Sequence, residues 1–243
     1  NDLNVKAQYD FIDNETDASG PGHSHGIAVL SVLAGYDPGS LIGPAHGASY
    51  LLARTEDDAS ESRLEEDHWV AALEWADSLG VDIISSSLNY RDEFDDPQEN
   101  YPFSAIDGNT AIITRAANIA AQRGILVVNS MGNEGPSTSS LWPPADSRHV
   151  LAVGAVNTNK ITSSFSGRGP TYDGRIKPNV SALGSWVYTA SGVAGYQRSN
   201  GTSFSTPLIA GLAALLLQAH PDLPPDSVIS SFQQFGDNVE SPN

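Results

Sequence analysis

Residues 110–129 read TAIITRAANIAAQRGILVVN, and their order decides the fold. Residues 110–123 follow a helical pattern, and Gly124 offers the left-handed conformation that commonly closes a helix. ILVVN at residues 125–129 is a short, continuously apolar run, as expected of a strand buried on both faces. The same alternation extends in both directions along the chain. HGIAVLSVLA (25–34) predicts a helix that stops at Gly35, and YLLA (50–53) a buried strand. From Ser62 a further helix is expected: Ser62 and Glu65 form a capping box, Trp69, Leu73, Ala76 and Leu79 share a face, and Gly80 ends it. VDIISSS (81–87) and VLAVGAV (150–156) predict strands, and residues 186–196 a strand and hairpin. Strands separated by helices imply right-handed crossovers, so the fold class is α/β, a three-layer arrangement with a mostly parallel central sheet and helices on both faces. Chemistry in such sheets collects at the carboxyl ends of the strands, which directs attention to residues 85–89 and 130–135.

Residues 1–243 contain no linker or low-complexity stretch and are read as one domain able to bury a sizeable core. The longest apolar run, residues 208–217, has about ten residues, short of the roughly twenty a membrane span needs, so a soluble chain is expected. There is no cysteine, which removes disulfides and thiol chemistry. Asp and Glu number 29 against 12 Lys and Arg, a formal charge of −17 that would repel nucleic acid. The acidity is compatible with plain solubility, with high-salt adaptation or with carboxylate sites for structural calcium. The opening NDLNVKAQYDF lacks both the basic start and the apolar core of a signal peptide and reads as the interior of a domain.

Residues 200–218, NGTSFSTPLIAGLAALLLQ, set a small polar turn against an apolar helix, placing Ser203 at the helix start and Pro207 in its first turn. Such a serine is either an N-cap or a nucleophile at the positive end of a helix. His25 at another helix start and Asn133 in MGNEG beyond a buried strand complete the parts of acyl-transfer chemistry: a nucleophile, a base and an amide donor for an oxyanion. Each also has a plain reading, His25 as a packed or solvated ring and Asn133 as a turn residue that tolerates the left-handed region. His23 and His25 have no partner at a recognised zinc spacing, so no metal is assigned to them.

HGIAVLSVLAG resembles the histidine motif of the subtilisin-like serine proteases, VVNSMGNEG their oxyanion-asparagine segment, and NGTSFSTP their Gly-Thr-Ser nucleophile motif. SSFSGRGP with RIKPNVSALG, and VDIISSSLN, are also similar to family sequence, in family order over nearly the whole chain. The resemblance implies a secreted, monomeric endopeptidase acting on peptide or protein substrates. Ser203 would attack the scissile carbonyl, His25 would be general base and then acid, and Asn133 with the Ser203 NH would form the oxyanion hole. Ser87, Leu88 and Asn89 would pair with substrate backbone as an added strand, and Met131 and Gly132 with Asn133 would wall the pocket for the residue before the scissile bond. No cofactor is required for that chemistry, while structural calcium is allowed for. Ser205 stands where an α/β-hydrolase needs the second glycine of its nucleophile elbow. His25 and Asn133 differ from the acidic residues expected of sedolisins.

The family's triad aspartate, on a strand upstream of the histidine, has no counterpart. NDLN resembles sequence just after that strand, so the strand is expected before Asn1, and the chain reads as a piece cut at both ends. Asp10, Asp13 and Asp17 precede His25 in a turn-rich stretch with no buried strand expected to hold them. Without the carboxylate, kcat would fall by roughly four orders of magnitude, the loss known for serine proteases of this mechanism. Residues 1–243 alone are therefore expected to fold poorly and to show little activity. The alternative is a non-catalytic, protease-like peptide-binding domain. Ile27, Asn89 and Leu183 replace the family's Thr, Gly and Pro; a side chain at 89 is expected to narrow the cleft. RDEFDDPQEN (91–100) is either a solvated acidic loop or a rim for basic peptides or calcium.

Overall fold

The computed structural model describes residues 3–19, 24–57, 59–192 and 194–237. Its centre is a sheet of four parallel strands in the order β5 (Ile83–Ser86), β6 (Leu126–Ser130), β7 (Val150–Val156) and β8 (Val180–Leu183). The stretch 110–129 folds as read: α3 (Ile112–Gln122), Gly124 at φ +93°, then β6.

Strand alternation sorts the apolar side chains into two layers. Val127, Val150 and Ala152 face α3 and α2 (Arg63–Ser78), packing with Trp69, Leu73, Ile113, Ala117 and Ala120. Leu126, Val128, Leu151 and Val153 face the other way, against Ile209, Ala210 and Ala213 of α4 (Thr202–Ala219) and Val228 and Ile229 of α5 (Pro225–Gln234). Strands covered on both faces have no polar side to show, which is why β6 and β7 are apolar at nearly every position. The three-layer α/β expectation holds.

Around this core lie α1 (Ser24–Ala34), a short β2–β3 hairpin (Tyr36–Asp37 and Leu41–Ile42), an antiparallel hairpin of β9 (Val187–Ala190) and β10 (Tyr196–Ser199), and a separate parallel pair of β1 (Val5–Asp10) with β4 (Tyr50–Arg54). Among the described residues β4 pairs only with β1, and β5 only with β6, so each keeps one edge without a ladder partner.

Four expectations are corrected. β1 is a strand despite its polar sequence, and Asp10 at its end is buried. The capping box does not form: Ser62 makes no side-chain cap, and the Glu65 carboxylate accepts the Asp57 NH at 2.9 Å instead. Leu79 lies beyond the last helical turn and is exposed. Finally, α4 is 18 residues with a mean hydropathy of 1.4, long and apolar enough by composition to cross a membrane. Its packing against β5, β6, β7 and β8, with 56% of that window buried, makes it a core helix of this fold.

Candidate active site

The start of α4 is built by two unusual backbone features. Gly201 sits at φ 152°, ψ 152°, a conformation L residues rarely adopt, and turns the chain into the helix. Ser203 follows as the second helical residue. Gly201, not Ser203, occupies the N-cap position, so the N-cap reading is set aside, and Ser203 is 7% exposed. Pro207 lies in the second turn, a correction to its expected first-turn place. A proline there has no NH for the carbonyl one turn back, which is that of Ser203. The Ser87 hydroxyl donates to that carbonyl at 3.0 Å. The proline thus frees an acceptor, and the end of β5 uses it to hold the turn that carries Ser203.

Asn133 follows β6 in an exposed turn. Its Oδ1 accepts two bonds from Thr202, from the NH at 2.9 Å and from the hydroxyl at 3.0 Å. Two donors on one oxygen fix which end of the amide is which, leaving the NH2 directed away from Thr202. The NH of Ser203, in the first turn, has no carbonyl one turn back to bind. An amide NH2 and a helix-start NH beside a serine hydroxyl are the donors an oxyanion needs. Thr202 escaped the sequence reading as a functional residue, although it is the Thr of the Gly-Thr-Ser motif.

His25, the second residue of α1, is exposed. Its ring meets Phe204 edge-on with centroids 6.3 Å apart, which brings it beside the residue following Ser203. Phe204 is itself buried with Ala28, Val32 and Val187, so the α1–α4 contact is an apolar one. His23 lies outside the described residues.

The remaining candidates divide. Gly132 has φ +86°, and its carbonyl accepts the Gly167 NH and the Thr202 hydroxyl; a Cβ there would lie 2.6 Å from the Glu134 carboxylate. Met131 is fully buried in the α2–α3 layer, with its NH on Val153 and its carbonyl on Trp142, so its side chain walls no pocket. Leu88 is half-buried against the same layer. Asn89 does not narrow the cleft: its amide turns inward to Ser130, Trp142 and Pro143.

Asp10 is held by a strand after all, and its carboxylate is already used. Oδ1 accepts the NH groups of Ile12 and Asp13, and Oδ2 pairs with Arg54 at 2.6 Å. Burial opposes ionisation of Asp10, but Arg54 and those NH groups outweigh it and lower its pKa. Asp10, Asp13 and Glu15 bring carboxylate oxygens within 4.8 Å of one another, yet Arg54 bonds two of the three and supplies the positive charge itself.

The acidic rim is mostly solvated, with Asp92, Asp95 and Asp96 among its exposed residues, but it has one buried anchor. Phe94 is buried beneath the loop, and Arg91 donates to the carbonyls of Ser139 and Leu141 at 2.9 and 3.2 Å while its Nε lies 3.9 Å from Asp92. Desolvation, then Glu61, Glu134 and Asp92, push Glu93 up to about 8. Burial, then Glu65, Glu61 and Glu93, push Glu56 up to about 8.

A parallel sheet with this serine, asparagine and histidine at its carboxyl ends has the layout of a subtilisin-like hydrolase. Residues 2–233 match the model of the subtilase family, and the chain belongs to that family. It is 33% identical over 224 residues to subtilisin E of Bacillus subtilis (strain 168), covering 90% of this chain and 52% of that protein. With subtilisin DY of Bacillus licheniformis it is 30% identical over 241 residues, covering 98% and 79%. Among solved structures, the protease domain of PatA superposes with a TM-score of 0.73 at 27% identity, covering 96% of this chain and 79% of that one. Sphericase gives 0.72 at 25%, covering 97% and 80%. The chain spans about half the length of subtilisin E and of several other curated relatives it matches.

Proposed function

We propose that this chain is the catalytic domain of a serine endopeptidase that hydrolyses peptide bonds through an acyl-enzyme. The observation that carries the proposal is the pair of Thr202 bonds that orients the Asn133 amide beside a serine free of any capping role. Ser203 Oγ attacks the scissile carbonyl carbon as His25 takes its proton. The carbonyl oxygen becomes an oxyanion held by the Asn133 NH2 and the Ser203 NH. Collapse breaks the C–N bond, and the leaving amine takes the proton from the His25 imidazolium. Water, deprotonated by His25, then cleaves the ester and restores Ser203.

The carboxylate that orients His25 belongs, in this proposal, to a strand upstream of Asn1 that pairs with the open edges of β4 and β5. Those edges, and the commitment of Asp10 to Arg54, support it. Kinship with the subtilisins supports action outside the cell on peptide or protein substrates. In the full-length protein a serine-directed phosphonate should label the wild type and not Ser203→Ala; unchanged labelling of the variant would remove Ser203 as nucleophile.

A further inference from the structure

Asn89 stands where the subtilisin-like motif places a glycine, and its side chain is fully employed. Nδ2 donates to the Ser130 carbonyl at 2.8 Å, with longer approaches to the carbonyls of Trp142 at 3.3 Å and Pro143 at 3.4 Å. In return the Ser130 hydroxyl donates to Asn89 Oδ1 at 2.6 Å. The fully buried Asn129 adds a second link, its Nδ2 donating to the Leu88 and Ser130 carbonyls, each at 3.0 Å. The Tyr90 NH bonds Pro143 at 3.1 Å. The ends of β5 and β6 are therefore tied beyond the last rung of their ladder, Ser86 opposite Asn129.

What this tie controls follows from the chain. Ser130 is three residues before Asn133, and Met131 between them is fixed to Val153 and Trp142. Trp142, which Asn89 approaches, begins the return from the same loop. Asn89 therefore grips both legs of the loop whose first residues carry the amide bound by Thr202, while its own main chain continues from Ser87, which holds the Ser203 carbonyl. A glycine at 89 offers none of these bonds.

We propose that Asn89 is a positioning residue that sets the placement of the Asn133 amide relative to Ser203 by clamping the base of the 131–142 loop. The proposal rests on the reading of Asn133 as oxyanion donor. Oxyanion stabilisation depends on donors held at hydrogen-bond distance from the developing charge, so a displaced loop acts on kcat, not on ground-state binding.

The test is a double-mutant cycle in the full-length protein, with kcat normalised to active sites titrated by a phosphonate so that only folded molecules count. Asn89→Ala should lower kcat about tenfold with KM little changed when Asn133 is present, since misplacement by about 1 Å costs as much as a hundredfold. In the Asn133→Ala background the same substitution should cost almost nothing. Asn89→Gly repeats the cycle should the alanine variant yield no titratable sites, and Ser130→Ala, which leaves the 2.8 Å bond intact, should show a smaller loss. An equal loss in both backgrounds, a change confined to KM, or no loss at all would overturn the clamp. If Asn133→Ala alone kept full kcat, the oxyanion reading itself would fall, and the clamp with it.

Discussion

The start of α4 and the acidic rim are both built from loops at the carboxyl ends of strands, yet their polar groups are satisfied in opposite ways. Around Ser203 donors and acceptors match: Ser87 to the Ser203 carbonyl, Thr202 to Asn133, Thr206 to the Thr202 carbonyl and Ser205 to the Ala182 carbonyl. Where the rim meets residues 56–65 through the Glu61–Asp95 and Arg63–Glu99 bonds, acids crowd one another. Glu65 is buried with its Oε2 lacking a hydrogen-bond partner, and the nearby arginines are spent on main-chain carbonyls, Arg91 on Ser139 and Arg63 on Glu99. The first arrangement has its polar groups paired before substrate arrives, as the proposed oxyanion site requires. The second stores charge repulsion that a proton or a cation relieves.

The comparison is broken most severely at Ser203 itself: Ser203→Ala should remove several orders of magnitude of kcat, read by peptide turnover. Asn133→Ala should cost about a hundred- to a thousandfold in kcat with KM nearly constant, the loss known for deletion of the oxyanion asparagine in subtilisin. Thr202→Val keeps the NH bond to Asn133 and deletes the hydroxyl one, so kcat should fall about three- to tenfold, the worth of one hydrogen bond. Ser87→Ala strands the Ser203 carbonyl that Pro207 cannot serve, which should cost about 1–3 kcal/mol of stability and appear as a lower Tm.

The rim supplies the smallest effect and the sharpest contrast. Burial chiefly, with Glu61 adding, raises Glu65 to about 7, and Glu56 and Glu93 stand at about 8. A raised carboxyl pKa means the folded state holds protons that the unfolded state has released. Stability from these groups is therefore full below the ordinary glutamate range and is lost as pH rises toward about 8. Tm should fall between about pH 4.5 and about pH 8, and Glu65→Gln should flatten that slope; a slope unchanged in the variant would mean that Glu65 is not a source. Asp10 runs the other way. Its pKa is lowered, so its pairing with Arg54 is present at neutral pH and fades only as acid protonates it.

Much of the fold was legible because the two-faced burial of β6 and β7 and the glycine closing α3 are local facts written in adjacent residues. Ser203, His25 and Asn133 stood out for the same reason, each inside a short motif. What escaped depended on distant partners. β1 looks like a polar turn region until Arg54 on β4 meets Asp10. The capping box at Ser62 was a sound local pattern, but the Asp57 NH drew the Glu65 carboxylate away. The family resemblance assigns Met131 and Asn89 to the cleft, whereas packing turns the side chain of one into the core and that of the other to the base of a loop.

By itself, then, the amino-acid sequence determined most of the elements, their layering and the candidate serine, since these follow from hydrophobic period, turn chemistry and short-range motifs. Only the tertiary structure decided which hydroxyl serves the carbonyl freed by Pro207, which oxygen of Asn133 is anchored, and where the side chain of Asn89 points. Those are hydrogen bonds between residues 41 to 116 positions apart, and a bond of that kind exists only once packing has removed water and brought its two ends together.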